Sequence, residues 1–177
     1  MIIYVGDACD VVSRITTNHC GGNIEGSKMR ESIAEAIGFG ISKTRRASRT
    51  MKKRINLPDP AVGERAVSDY VASGRWQFVL CNSKEEAKAF QWFAIESLNP
   101  ALNRERQPWN REQSTRFEIL FAQLQQSPLY AKTQLRPLAS GPGVYGFHHG
   151  ICLTRITIRS TRTRRERAPV SFIVSRA

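Results

Sequence analysis

Apolar and polar positions follow two periods along this chain, and the changes of period divide it into elements. Ile2-Ile3-Tyr4-Val5 is a β-branched and aromatic run that suits a pleated, half-buried surface, which predicts a strand broken by Gly6-Asp7. Asp10 then stands as N-cap of a helix with Val11, Val12 and Ile15 on its apolar side, leaving Arg14 and His19 for a surface. After the Cys20-Gly21-Gly22-Asn23 turn, Ser27 opens a helix to about Phe39 that buries Met29, Ile33, Ala34, Ala36 and Ile37. Pro58-Asp59-Pro60 is a rigid break before a short helix over Ala61–Ser73, and Gly74 ends that helix. Trp76–Cys81 reads as a second strand. Ser83 and Glu86 form a capping-box pattern ahead of a helix from Lys84 to about Leu98, stopped by Asn99-Pro100. Phe117, Leu120, Phe121 and Leu124 recur at helical spacing over roughly Arg111–Gln126. Gly141-Pro142-Gly143 then turns into a strand through Phe147, and the arginine-rich end from Arg155 to Arg167 reads as a weak strand passing into a disordered basic tail.

Charge adds a partner to this picture. The 177 residues carry 27 Lys plus Arg against 15 Asp plus Glu, a formal charge of +12, with 41% hydrophobic residues to build a core. Such an excess favours polyanions, because each phosphate neutralised releases condensed counterions. The cations concentrate: Lys43, Arg45, Arg46, Arg49, Lys52, Lys53 and Arg54 fall between Phe39 and Pro58 without one acid among them. That stretch is expected to be a hairpin or a mobile loop that contacts phosphates. The cysteines Cys9, Cys20, Cys81 and Cys152 form no CxxC pair, which excludes a zinc ribbon, and Cys9 and Cys81 read as small core residues. No apolar run is long enough to cross a membrane and no signal peptide is visible, so a cytoplasmic setting is expected.

Two stretches carry a resemblance. Tyr4-Val5-Gly6, then Arg14 eight residues past the glycine, then His19, resemble the second half of the GIY-YIG nuclease signature. The stretch EEAKAFQWFAIESLNPALN, Glu85 to Asn103, is similar to that family's later motif, a helix with a metal-binding glutamate that runs into an asparagine matched by Asn103. The resemblance implies an α+β domain: a small antiparallel sheet of about three strands, flanked by helices, acting on DNA. It implies a metal-dependent endonuclease in which Mg²⁺ or Mn²⁺ is held by a carboxylate. By that resemblance Tyr4 is the base or water-orienting group, Arg14 the phosphate clamp and His19 an accessory proton carrier, with Gly6 and Asn103 in support. No small-molecule cofactor and no membrane partner are implied.

The chain departs from the family pattern at three points. His19 stands five residues after Arg14, where the family usually has four. The family's first motif has no room before Tyr4, yet a copy, Gly143-Val144-Tyr145, lies near the other end, making Tyr145 the displaced partner tyrosine. That copy is expected to open a second, incomplete domain or to reflect a truncated frame, in preference to a permuted sheet in which it pairs with Ile2–Val5. Twelve residues before Asn103, the position of the metal-binding glutamate is occupied by Gln91. The expected organisation is a nuclease-like domain over 1–110 with a basic insertion at 41–57, a helical extension over 111–140, and the Gly-Val-Tyr strand with its tail over 141–177. The alternative function is a catalytically inactive nucleic-acid-binding module derived from the same fold.

Overall fold

The computed structural model describes residues 1–150 and is of α+β class. Five strands form: β1 (Ile2–Ala8), β2 (Ile41–Arg45), β3 (Met51–Ile55), β4 (Arg75–Leu80) and β5 (Gly143–His148). Strands β1, β5 and β4 make a three-stranded antiparallel sheet in that order, and β2 and β3 make a separate hairpin. The last described strand is therefore the middle one. It pairs with β1 through Tyr4↔Phe147, Gly6↔Tyr145 and Ala8↔Gly143, and with β4 through Trp76↔Phe147 and Phe78↔Tyr145. This overturns the preference for a second, incomplete domain. Every residue of Gly143–Phe147 is buried, and the arginine-rich stretch that made this end look unsuited to a core begins only beyond it, outside the described residues.

Strand β1 also runs through Gly6-Asp7, which the sequence marks as a break. Glycine is a breaker only where nothing holds it extended. Here it sits opposite Tyr145, where a Cβ would overlap the phenolic ring and hydroxyl. The far edge of β1 is closed by Asn103, whose amide accepts from Val5 N–H and donates to Val5 C=O, both at 2.8 Å, as a neighbouring strand would. Tyr130 does the same for Trp76 on the outer edge of β4.

Helices cover both faces of the sheet. One face holds α1 (Val11–Ser13), which runs directly into a π-helix (Arg14–His19), with α2 (Lys28–Ala36) and α3 (Pro60–Ser73). Their apolar sides close over Tyr4, Trp76, Tyr145 and Phe147 in one core. The other face packs α4 (Lys84–Leu98) and α5 (Ser114–Gln126) over Val5, Val79 and Val144, through Ala87, Phe90, Ala94, Phe117, Leu120 and Leu124. Burying each large apolar side chain of this kind stabilises the fold by about 1.5–3 kcal/mol.

The caps at Asp10, Ser27 and Ser83 fall where the sequence puts them, and Asp59, read as part of a rigid break, proves to be a fourth. Asp10, Ser27, Asp59 and Ser83 each accept from a backbone N–H of the first turn. Glu86 reaches back to Asn82 N–H at 2.6 Å, one residue before the cap. Helix α2 stops at Ala36 rather than Phe39, because Gly38 turns into the left-handed region with φ 99°. Among the described residues no helix is long and apolar enough to cross a membrane. Cys81 is buried as expected, whereas Cys9 is exposed, since it follows the end of β1 and points away from the core.

Candidate functional site

Tyr4 and Tyr145 lie on adjacent strands with ring centroids 6.5 Å apart. Above them stands His19, whose Nε2 is 2.6 Å from Tyr145 Oη and whose Nδ1 is 2.6 Å from Ser27 Oγ. The imidazole also stacks on Trp76, with centroids 5.7 Å apart and planes 14° from parallel. Burial, with the charges of Arg14 and Arg30, lowers the His19 pKa to about 3, so the ring is neutral. Burial raises Tyr4 to about 12, against the pull of Arg14. Tyr145 is pushed well above its usual value by burial and by Tyr4, while Arg14 pulls the other way through its charge and a hydrogen bond. Tyr4 is 8% exposed, and its hydroxyl has no hydrogen-bond partner among the described residues yet is not sealed from solvent.

The π-helix explains how His19 reaches this place. An α-helix brings residues four apart onto one face, and each inserted residue shifts everything after it. A π-turn closes its hydrogen bond five residues back and absorbs that insertion. Cys20 N–H accordingly bonds Ile15 C=O at 2.9 Å, the five-residue spacing. The extra residue between Arg14 and His19 is thus accommodated within the helix, and both side chains face the tyrosine pair. Arg14 is anchored further by Gly26 C=O at 3.4 Å.

Beneath His19 lies a buried polar support that sequence reasoning did not find. Arg30, with no exposure, donates to His19 C=O at 2.9 Å, to Ser68 Oγ at 2.9 Å and to Glu64 Oε2 at 2.9 Å. Glu64 also accepts from Ile24 N–H at 3.0 Å. Ser27 was legible only as a helix cap. The spacing of a polar residue on an otherwise apolar helix face, Arg30 between Met29 and Ile33, is the one sequence signal that marked a buried cation.

Arg14 also lines an open cleft of about 370 Å³, together with Asp7, Asp10, Ser13, Asn18 and Lys84 among others; neither tyrosine is part of its lining. Asp10 is engaged as a cap, accepting from Ser13 N–H at 2.7 Å and bonded to Ser140. Asp7, which sequence reasoning also missed, has no ion-pair partner within reach among the described residues. Burial raises its pKa, and Lys88, Lys84 and Arg14 oppose that rise from nearby.

These residues do not fit a hard divalent cation. Gln91 is half-buried on α4, carries no charge and makes no hydrogen bond with a described residue. The charges of Lys88, Lys84 and Arg14 already act on Asp7 and oppose a further positive charge beside it. Among the described residues no group of three or more His, Cys, Asp or Glu side chains comes together. Glu86 and Glu96 are taken by other partners: Glu86 by Arg116 at 2.8 Å, and Glu96 by Arg111 at 3.0 Å and Trp109 at 2.7 Å.

The seven cations of the 41–57 stretch lie on the β2–β3 hairpin, a regular element rather than a mobile loop, and the structure divides them. Lys43 and Lys53, opposite each other in the register, both pair with Glu31, at 3.1 and 2.6 Å. Arg46 pairs with Glu25 at 2.8 Å. Arg45, Arg49, Lys52 and Arg54 make no ion pair with a described acid. No protein-family model, no curated protein and no solved structure matches this chain significantly.

Proposed function

We propose that this chain acts on DNA through a nuclease site of the GIY-YIG type, hydrolysing phosphodiester bonds. The observation that carries this reading is the meeting of Tyr4, Tyr145, His19 and Arg14. The two tyrosines come from the first and last strands of the described residues, and all four residues are ones that the resemblance names. The order β1-β5-β4 supports it further: it sets the Gly-Val-Tyr strand beside Tyr-Val-Gly, as a permuted version of the family's hairpin requires. In this reading Arg14 binds phosphoryl oxygens at the cleft. Tyr4, the tyrosine with a free hydroxyl, orients water, and Asn103 holds β1 flat beside it. His19, neutral and bonded at both nitrogens, positions Tyr145 instead of carrying protons.

The experiment is nicking and cleavage of plasmid DNA at enzyme excess, run with EDTA, with Mg²⁺ and with Mn²⁺, since the residues at the cleft do not themselves form a cation site. Cleavage that falls at least 100-fold in Arg14→Ala and in Tyr4→Phe is the expected result. No cleavage under any of these conditions overturns the enzymatic reading.

A second reading, DNA binding by a catalytically silent site, is favoured by Gln91, which supplies no charge to a metal. Gln91→Glu separates the two. A gain of metal-dependent cleavage over an inactive parent identifies an intact but disarmed site, and unchanged DNA binding without cleavage leaves recognition as the role.

A further inference from the structure

Lys84 is the first residue of α4, directly after its Ser83 cap. The first turn of a helix carries partial positive charge, which favours acids there and disfavours a cation. Glu85 and Glu86 follow that preference, and Lys84 runs against it. Glu86 is committed to Arg116 at 2.8 Å, and Lys84 makes no ion pair with a described acid. Helix stability therefore does not account for a lysine at this position.

The cleft accounts for it. Lys84 lines the same open space of about 370 Å³ as Arg14. The two cations come from helices on opposite faces of the sheet, Arg14 from the π-helix and Lys84 from α4. Arg14 is bonded to Gly26 C=O at 3.4 Å and to Tyr145, yet a guanidinium has five N–H donors, so others remain for a ligand. Ser13 and Asn18 add a hydroxyl and an amide to the lining.

Two acids share this lining, and they decide the sign of the ligand. Asp10 is committed, accepting from Ser13 N–H at 2.7 Å and bonded to Ser140. Asp7 faces three cations, because Lys88, one helical turn beyond Lys84, acts on it together with Lys84 and Arg14. One uncommitted carboxylate against three cations leaves a surplus of positive charge, which selects an anion over a metal ion. The volume lies at the small end of ligand pockets, about 300–1,000 Å³, and suits one phosphoryl group with its substituent.

We propose that this cleft is a phosphate-oxygen site in which Lys84 and Arg14 hold one phosphoryl group between them and supply its counter-charge without a divalent cation. That the group is a phosphodiester of DNA rests on the nuclease-type reading of Arg14; the anion site itself does not.

Inorganic phosphate, and separately a short DNA duplex without terminal phosphates, are titrated into the full chain with EDTA present, and the backbone amide resonances of Ser13, Arg14, Asn18 and Lys84 are followed. Both probes should move them. Arg14→Gln and Lys84→Gln should each weaken phosphate binding about 10-fold, the loss of one charged hydrogen bond. Lys84 is exposed, so its replacement leaves the core intact. Arg65→Gln, which removes the same charge from an exposed position of α3, should leave the affinity unchanged, and Asp7→Asn should raise it. The proposal is overturned by resonances that phosphate does not move, by equal effects of Lys84→Gln and Arg65→Gln, by weaker binding in Asp7→Asn, or by shifts that appear only when Mg²⁺ replaces EDTA. Shifts with phosphate but not with the duplex support the site and remove the DNA reading. Shifts with both probes and no cleavage support the site and remove only the catalytic reading.

Discussion

Gly6 shows how one residue without a side chain holds a site together. It lies across from Tyr145, and the phenolic hydroxyl occupies the volume where any Cβ would stand. Gly6→Ala is expected to force the Tyr145 ring aside, break its bond to His19 and lower stability by about 1–3 kcal/mol, the usual cost of overpacking. Urea denaturation measures the loss, and DNA cleavage should fall with it. Unchanged stability together with an unchanged His19 nitrogen spectrum would contradict this packing. The motif glycine was visible in the sequence, but its reason was not: the constraint comes from a strand 139 positions further along, and no local signal reports on that (Gly6 to Tyr145). Tyr4, Arg14 and Asn103 were legible because each belongs to a stretch of recognisable spacing. Glu64 and Asp7 were not, since a carboxylate looks like an ordinary surface charge in one dimension, and Arg30 was marked only by its place on the apolar face between Met29 and Ile33.

At the scale of elements, the basic hairpin is two functions on one ribbon. Residues opposite each other in an antiparallel pair share a face. Lys43 and Lys53 share the face that meets Glu31, which is 1% exposed in its side chain and takes Lys28 as well. Burial alone would raise the Glu31 pKa, but the hydrogen bonds from Lys53 and Lys43 outweigh it and leave a value of about 2. These lysines therefore dock the hairpin on α2, while Lys52 and Arg54 share the other face and stay unpaired. Neutralising Lys52 and Arg54 to Ala should weaken DNA binding and reduce the slope of log affinity against log salt by about 2, near 0.9 per phosphate contact. Neutralising Lys43 should instead lower stability with little change in that slope. Equal effects of the two variants on the salt slope would show that the division by face is wrong. The charge run was plain in the sequence, but which cations were already committed was not, because their acid partners lie on α2 and in the preceding turn. The same holds for the π-helix: five-residue spacing looked like a misfit only so long as the backbone was taken to be α-helical.

For the molecule as a whole, the buried His19 and Glu31 and the half-buried His148 make stability depend on pH in the same direction. His19 and His148 titrate in the folded chain at about 3 and about 4, below the ordinary histidine value near 6.5, in both cases chiefly because burial disfavours the charged ring. The unfolded chain therefore takes up protons that the folded chain refuses as pH falls below about 6.5. Stability present at neutral pH is lost from there downward, at about 1.4 kcal/mol per pH unit for the buried His19 and less for the solvent-screened His148, until the folded-state values are reached. Glu31 adds a further loss between its ordinary value near 4.5 and about 2. Urea denaturation between pH 7.5 and 4 should show this decline, and His19→Gln should flatten its slope; a flat profile in the unaltered chain would contradict the burial of His19.

The position of β5 has one more consequence, for the order of assembly. Strands β1 and β4 are not paired with each other; β5 is the strand that joins them. The sheet cannot close until the segment Gly143–His148 is available, and its pairing with β1 spans nearly the whole described chain. Contacts so distant in sequence are slow to form, because the entropy of closing a long loop is lost before the pairing compensates it. During synthesis the helices and the hairpin can emerge and collapse early, whereas both halves of the tyrosine pair meet only once β5 has emerged. Acquisition of the site and closure of the three-stranded sheet are then one kinetic event.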